Sequence, residues 1–280
     1  MVAQNSSMEK LTIIKSKKRL SPLNLREIWR HRELFYFFSW RDLKVRYKQT
    51  AIGILWAVFQ PFIAMVVFSI FFGGLAKIPS DEIPYPVFVY VGLLFWQFFS
   101  VSISQASNSL VANKEIITKI YFPRLILPIS SIVTNLVDFL IASVILVGLI
   151  FYYHYSPNLV GLLILPLLFL ITLFTAMGMG LFLAAVNVKY RDVRYILPFF
   201  IQMMLFITPV IYPVSILKEY SWILALNPMT GVIEAARAGI LGTASINWPL
   251  LLISSIACSL LFITGLIYFK KTEKQFADIV

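Results

Sequence analysis

Charge is scarce in this chain: 13% of its 280 residues are Asp, Glu, Lys or Arg, about half the roughly 25% of an ordinary globular protein. With 59% hydrophobic residues, a soluble fold of this length has too little interior to hide its apolar surface. Cysteine is almost absent. Cys258 stands alone inside an apolar run, which excludes a disulfide framework and a thiol metal cluster. The two histidines, His31 and His154, fall on opposite sides of the topology derived below, so no metal site is expected. No Gly-rich loop ends in Gly-Lys-Ser/Thr, so the chain lacks a phosphate cradle of its own and any ATP-driven action must come from a partner. No nucleophile, base and acid stand in a recognisable set. The polar first 20 residues lack the apolar core of a cleavable signal sequence, and insertion is expected to use the first span.

What the chain has instead is uncharged length. Stretches free of charge run over Gln49–Ala76, Ile83–Asn113, Tyr155–Val188, Tyr195–Leu217 and Ala238–Phe269, and Leu125–His154 carries only Asp138. A helix needs about 20 residues to cross about 30 Å of hydrocarbon. The runs are continuous rather than alternating, which excludes a β-barrel. The sequence therefore predicts an all-α polytopic membrane protein with six transmembrane helices, their cores near Ile54–Phe72, Val87–Gln105, Ile126–Tyr152, Leu159–Ala185, Ile196–Tyr212 and Trp248–Phe269.

Six spans put both termini on one side, and the basic residues choose it. Residues 1–54 hold 12 Lys and Arg, and segments 106–125, 186–195 and the tail hold three each, leaving Lys77, Lys218 and Arg237 of the 24 for the other face. By the positive-inside rule both termini are expected in the cytoplasm. The net charge of +11 is thereby explained as topology and contact with anionic lipid, with no soluble domain left to bind nucleic acid.

Four regions follow: a flexible basic arm (1–20), an amphipathic interface and connecting segment (21–48), the six-span domain (49–269) and a cytoplasmic tail (270–280). Ser21-Pro22 is a good helix start. Beyond it, Leu25, Ile28, Trp29, Phe35 and Phe38 among Arg26, Glu27, Arg30, Arg32 and Glu33 suit a helix in the headgroup plane. A continuous extension of the first span is the alternative. Pro61 interrupts that span, where its ring removes one helical hydrogen bond. In the first cytoplasmic link, Asn113, Lys114, Glu115, Ile116, Ile117 and Lys119 lead to Tyr121, Phe122 and Pro123. That mixture predicts a short helix with one apolar side, serving either docking or packing against its own bundle. Gly178, Gly180 and Ala184 permit close helix approach.

Two features break the pattern. Asp138 is the sole acid well inside a span, with Asn135 one turn earlier. An acid there is costly unless paired, hydrated or protonated, so either an interhelical hydrogen bond or a proton-coupled step is expected. The second feature is the last external connection. Pro209 and Pro213 interrupt an apolar segment, and Asn227-Pro228 opens a small-residue run containing Glu234 and Arg237. Its prolines and charges argue against another span and for short re-entrant helices. Glu234 and Arg237, three apart, are expected to form a surface pair on one helical face. An unrelated membrane enzyme or scaffold stays open, because Asp81, Glu82, Glu219 and Glu234 are available outside acids.

The order of these parts resembles the ABC-2-type permeases of polysaccharide exporters, which handle O-antigen, capsule or teichoic acid. The resemblance is carried by Arg41-Asp42-Leu43-Lys44-Val45-Arg46-Tyr47-Lys48-Gln49-Thr50 with Gly53, Leu55-Trp56 and Pro61, by Asn113-Lys114-Glu115 with Phe122-Pro123-Arg124, by Lys189-Tyr190-Arg191-Asp192, and by Thr208-Pro209-Val210-Ile211-Tyr212 leading to Asn227-Pro228. It implies a permease pairing with a second copy of itself and with two ATP-binding subunits, which hold the ATP and Mg; this chain binds no cofactor. It places ATPase coupling on Leu25, Ile28, Trp29, Arg32, Asn113, Lys114, Glu115, Ile116 and Lys119. The substrate would be a lipid-linked polysaccharide, taken as O-antigen-like, with teichoic acid, capsule, lipid or drug as alternatives. Aromatic and basic residues near the entrance and exit, Arg41, Lys44, Arg46, Lys48, Trp56, Phe59, Phe62 and Tyr212, are candidates for its path.

Overall fold

The computed structural model describes residues 25–48, 53, 55–157, 159–242 and 245–276. Ser21-Pro22, the basic arm and the side chain of Leu25 lie outside them. The described residues form an all-α bundle. Two helices, α1 (Leu25–Arg30) and α2 (Arg32–Lys48), precede α3 (Leu55–Phe68), which continues as a π-helix over Ser69–Leu75. Then come α4 (Tyr85–Ala112), α5 (Lys114–Lys119), α6 (Ile126–Tyr152), α7 (Leu159–Lys189) and α8 (Val193–Ile207). A 3-10 turn (Val214–Tyr220), α9 (Ser221–Ala225), α10 (Pro228–Leu241), α11 (Trp248–Thr272) and a last 3-10 turn (Glu273–Gln275) complete it.

Five of these are long and apolar enough to cross a membrane: α3 with its π-helical end, α4, α6, α7 and α11. Their positions match the expected spans, and α6 reproduces the expected Ile126–Tyr152. The fifth expected span, Ile196–Tyr212, is realised as the 15-residue α8, about 22 Å long. Its early end has a local cause. Thr208 precedes Pro209, whose ring disfavours the α region at that position, and Thr208 is extended at φ −78°, ψ 136°.

The residues flanking α8 nevertheless contact opposite ends of α4. Just before it, the Asn187 amide donates to the carbonyl of Ser107 near the C-terminus of α4 (2.9 Å). Just after it, Pro209 and Val210 meet Arg237, which also bonds Phe88 near the N-terminus of α4. Residues 88 and 107 of one helix stand about 28 Å apart.

α4 is the central helix, with 83% of its most apolar window buried against 11% for α3. It packs between α3, α6 and α7, while α11 closes on α7. Backbones touch where glycines face each other. A Cβ on Gly265 would lie 2.0 Å from the carbonyl oxygen of Gly178, and one on Gly161 would lie 2.1 Å from that of Gly239. Neither contact can relax without separating helices, because the obstacle is backbone. Gly265→Ala is therefore expected to destabilise the bundle by about 1–3 kcal/mol, read as a lowered thermal midpoint of the detergent-solubilised protein. Gly148→Ala is the control, since nothing lies within 4 Å of that site; an equal drop there would show that the α7–α11 contact is not the cause.

α10 occupies the end of the bundle where α4, α7 and α11 begin. Asn227 caps it, its side-chain oxygen accepting from the Met229 amide (3.1 Å), with Pro228 in the first turn. Gly242, at φ 64°, closes it in the left-handed conformation. Nearly every side chain between these caps is buried, as befits a helix rich in Ala and Gly wedged among larger ones.

Candidate functional site

α2 carries a row of polar side chains, and its last turn delivers them into the bundle. Arg46 forms an ion pair with Asp138 on α6, and its other nitrogen donates to Gln105 on α4 (2.7 Å) and to Asn135 on α6 (2.9 Å). The next residue, Tyr47, donates its hydroxyl to the second oxygen of Asp138. Asn135 donates onward to Ser102 (3.2 Å). Burial, then the hydrogen bond to Asp138 and its charge, push the Tyr47 phenol above its ordinary range, so it stays protonated and keeps donating.

Asp138 thus accepts hydrogen bonds from another helix, the first of the two expectations for it. Its partner arrives from 92 residues earlier, from a segment assigned to the cytoplasmic face. Both carboxylate oxygens are engaged by donors, and the side chains of Arg46 and Asp138 are 24% and 28% exposed. A partly buried pair with additional hydrogen bonds is the arrangement in which an ion pair holds two elements in register.

The cluster forms one wall of a cavity of about 610 Å³ between α3, α4 and α6. Trp56, Gln60 and Pro61 line it from α3, Gln97, Phe98 and Gln105 from α4, and Phe139 from α6. Of the expected path residues, Arg46 and Trp56 meet here. Phe59 and Phe62 stay on the uncovered face of α3, 51% and 41% exposed. Tyr212 belongs to the opposite end of the bundle, its hydroxyl donating to the carbonyl of Ile207 (2.9 Å). Arg41 is held by Asp42 (2.8 Å) and by the Asn113 side chain (2.9 Å). Lys44 lies over the Trp40 ring at 5.3 Å. Lys44 and Lys48 are exposed.

At the same end, the two expected coupling elements meet. A groove of about 440 Å³ runs between Arg30, His31, Glu33, Leu34 and Phe37 on one side and Ile120, Tyr121 and Phe122 on the other. The expected short helix is present as α5, with Ile117 buried and Ile116 packed against the cluster around Phe38, Phe122 and Phe269. Ile28 packs on that cluster too. Trp29, Arg32, Lys114, Glu115 and Lys119 are outward, and Asn113, joining α4 to α5, binds Arg41. The helix pair α1–α2 is not simply amphipathic, because Tyr36, Phe37 and Trp40 are exposed while Phe38 is buried.

At the far end, Arg237 is a correction. The expected surface pair with Glu234 is a contact at 3.9 Å, and Arg237 itself is only 3% exposed. Its guanidinium donates to the carbonyls of Phe88 (3.1 Å), Pro209 (2.8 Å) and Val210 (2.7 Å) and lies 3.5 Å from the centre of the Phe88 ring. Pro209 therefore matters through the carbonyls left open where α8 breaks, and Pro213 is buried beside them. The sequence holds a signal for this clamp, a lone arginine in a small-residue apolar run. Among the described residues, no group of three or more His, Cys, Asp or Glu side chains is placed to hold a metal.

Five apolar spans, with a polar cluster tying α2 to α4 and α6, define a multi-pass membrane protein. Residues 33–241 match the membrane component described as ABC-2 type transporter, and the chain belongs to that family. It is similar to the O-antigen export system permease protein of Myxococcus xanthus, with 30% identity over 264 residues, 91% of this chain and 98% of the relative. The O-antigen export system permease protein of Klebsiella pneumoniae is 29% identical, covering 89% of this chain and 95% of the relative. A polysialic acid transport protein of Escherichia coli is 25% identical over 72% of this chain and 78% of its own length. The chain is thus a multi-pass inner-membrane permease subunit, the transport part of a system rather than an enzyme.

Proposed function

We propose that this permease moves an O-antigen-like, lipid-linked polysaccharide from the cytoplasmic to the outer side of the inner membrane. The observation that carries this reading is similarity along nearly the whole length to O-antigen export permeases. In the proposed assembly two copies pair, and two separate ATP-binding subunits supply ATP and Mg. The apolar face of α3 and its π-helical end, uncovered at Leu55, Phe59, Phe62, Val66 and Ile70, is available to the second copy. α8 and the turn after it form a sixth crossing, supported by contacts at both ends of α4. With six crossings both termini are cytoplasmic, and α9 and α10 are re-entrant helices at the outer side.

The motor docks on the groove between α1–α2 and the α5 region. Exposed Phe37, Ile120 and Tyr121 at its rim offer apolar anchors of the kind that dominate interface energies. Transport requires that the nucleotide-bound partner favour one permease conformation over another. Replacing Ile120 and Tyr121 by aspartate is expected to leave membrane insertion intact while lowering recovery of the ATPase on the tagged permease, and polymer export with it, at least about tenfold. Unchanged recovery of the ATPase would place the motor elsewhere. Intracellular polymer accumulating on deletion of the gene, with synthesis intact, tests the export reading itself.

A further inference from the structure

The cavity beside Arg46 has walls of two kinds and no spare charge. Its ionic groups face each other: both Asp138 oxygens accept from Arg46 and Tyr47, and Arg46 is further occupied by Gln105 and Asn135. An arriving anion would have to displace Asp138 or lie beside it, at a cost in either case. What remains open to a guest is neutral. The Gln60 and Gln97 side chains line the cavity without a partner among the described residues. Trp56, Phe98 and Phe139 supply aromatic surface, and Pro61, Leu94 and Ala142 supply aliphatic surface.

We infer that this cavity binds one neutral, hydroxyl-rich ring of the pyranose type. The C–H face of such a ring packs on aromatic surface, and its hydroxyls exchange hydrogen bonds with carboxamides that both donate and accept. A volume of about 610 Å³ falls within the range of small-molecule sites and exceeds what one ring needs, leaving room for a linked unit or the start of an alkyl chain. The ring has two possible sources: a sugar of an exported chain, which rests on the export reading above, or the head of a neutral glycolipid entering from the membrane, which does not. In both cases the cavity selects by neutrality and hydroxyl count.

The test is displacement of radiolabelled octyl glucoside, well below micellar concentration, from the full chain held in nanodiscs with any copurifying subunit and no nucleotide. Because no turnover is involved, its result is independent of whether export occurs. Dodecyl maltoside is expected to displace the tracer at least about tenfold more effectively than dodecyl phosphate of the same chain length. Gln60→Leu/Gln97→Leu, which keeps the volume and removes both carboxamides, is expected to weaken tracer binding about tenfold with an unchanged thermal midpoint. Displacement by soluble maltotriose would identify a polymer sugar as the source, and displacement by alkyl glycosides alone a glycolipid head. Dodecyl phosphate matching dodecyl maltoside, or a double variant that binds like the parent, would overturn the inference. Should the double variant lose stability, Trp56→Leu serves in its place, with the same tenfold weakening expected and parental binding counting against the site.

Discussion

Removing Asp138 as a charge acceptor is expected to do more damage than removing both members of its pair. Asp138→Ala leaves the Arg46 guanidinium partly buried without its counter-ion and the Tyr47 hydroxyl without its acceptor. Losing one partner of a buried pair costs about 3–5 kcal/mol; with both side chains about a quarter exposed, solvent screening reduces this to about 2 kcal/mol. The pair also ties α2 to α6, so the consequence reaches function. Export is expected to fall several-fold even where folded protein is recovered, because motion of the interface helix no longer carries α6 with it. Arg46→Met/Asp138→Leu should regain most of the stability, as apolar replacements of buried pairs commonly do, but not the export. Asp138→Asn should be milder than Asp138→Ala, since a carboxamide oxygen still accepts from Arg46 or Tyr47 although the counter-charge is lost. Thermal midpoints of the parent, Arg46→Met, Asp138→Leu and the double variant give the double-mutant cycle, and extracellular polymer gives the function. Near-additive single effects would remove the coupling role, and abolished export in a stable Asp138→Asn protein would restore a proton-carrying one.

Arg237 carries the second large effect, at the other end of the bundle. Three carbonyls depend on its guanidinium, and two of them, at Pro209 and Val210, are open because α8 ends at Ile207. With 3% exposure there is little water to replace it. Arg237→Leu is expected to cost about 4 kcal/mol or more, the sum of unpaired buried carbonyls and a Glu234 left alone. Arg237→Lys should recover only part of this, because an ammonium cannot reproduce the planar fork that reaches carbonyls on two elements. Protease accessibility of residues 208–228, compared with that of the α5 region, provides the measurement. Selective opening at the Arg237 end is expected, and unchanged protection there would show that the break after α8 is held by packing alone.

Much of the architecture was legible because bilayers impose length. A run such as Ile126–Tyr152 has one stable solution in hydrocarbon, a helix that satisfies its own backbone, and the helix observed has those bounds. The caps of α10 were equally visible, in Asn227-Pro228 at its start. The α8 boundary was misplaced although Pro209 stood in the sequence, because hydropathy continues unbroken to Tyr212 while backbone geometry ends at Thr208. Hydropathy reports burial in lipid and is indifferent to a proline's effect on the residue before it.

The site was less legible. Asn135 and Asp138 stood out by their chemistry, but nothing local pointed to Arg46, which reads as one more basic residue in a segment whose charge already had an explanation. Arg237 was visible as an anomaly and was misread as a surface group, because three-residue spacing specifies a shared helical face and says nothing of what covers it.

By itself, then, the sequence determined the class of protein, the place of the five long apolar helices and the unequal charge of its two ends, since each follows from short-range composition meeting a lipid solvent. Tertiary structure alone decided that Arg46 meets Asp138, that Arg237 closes the break after α8 and that α1–α2 shares a groove with the residues after α5. Those contacts join residues from 27 to 149 positions apart, and a pairing across such distances is set by how helices pack, which no local pattern encodes.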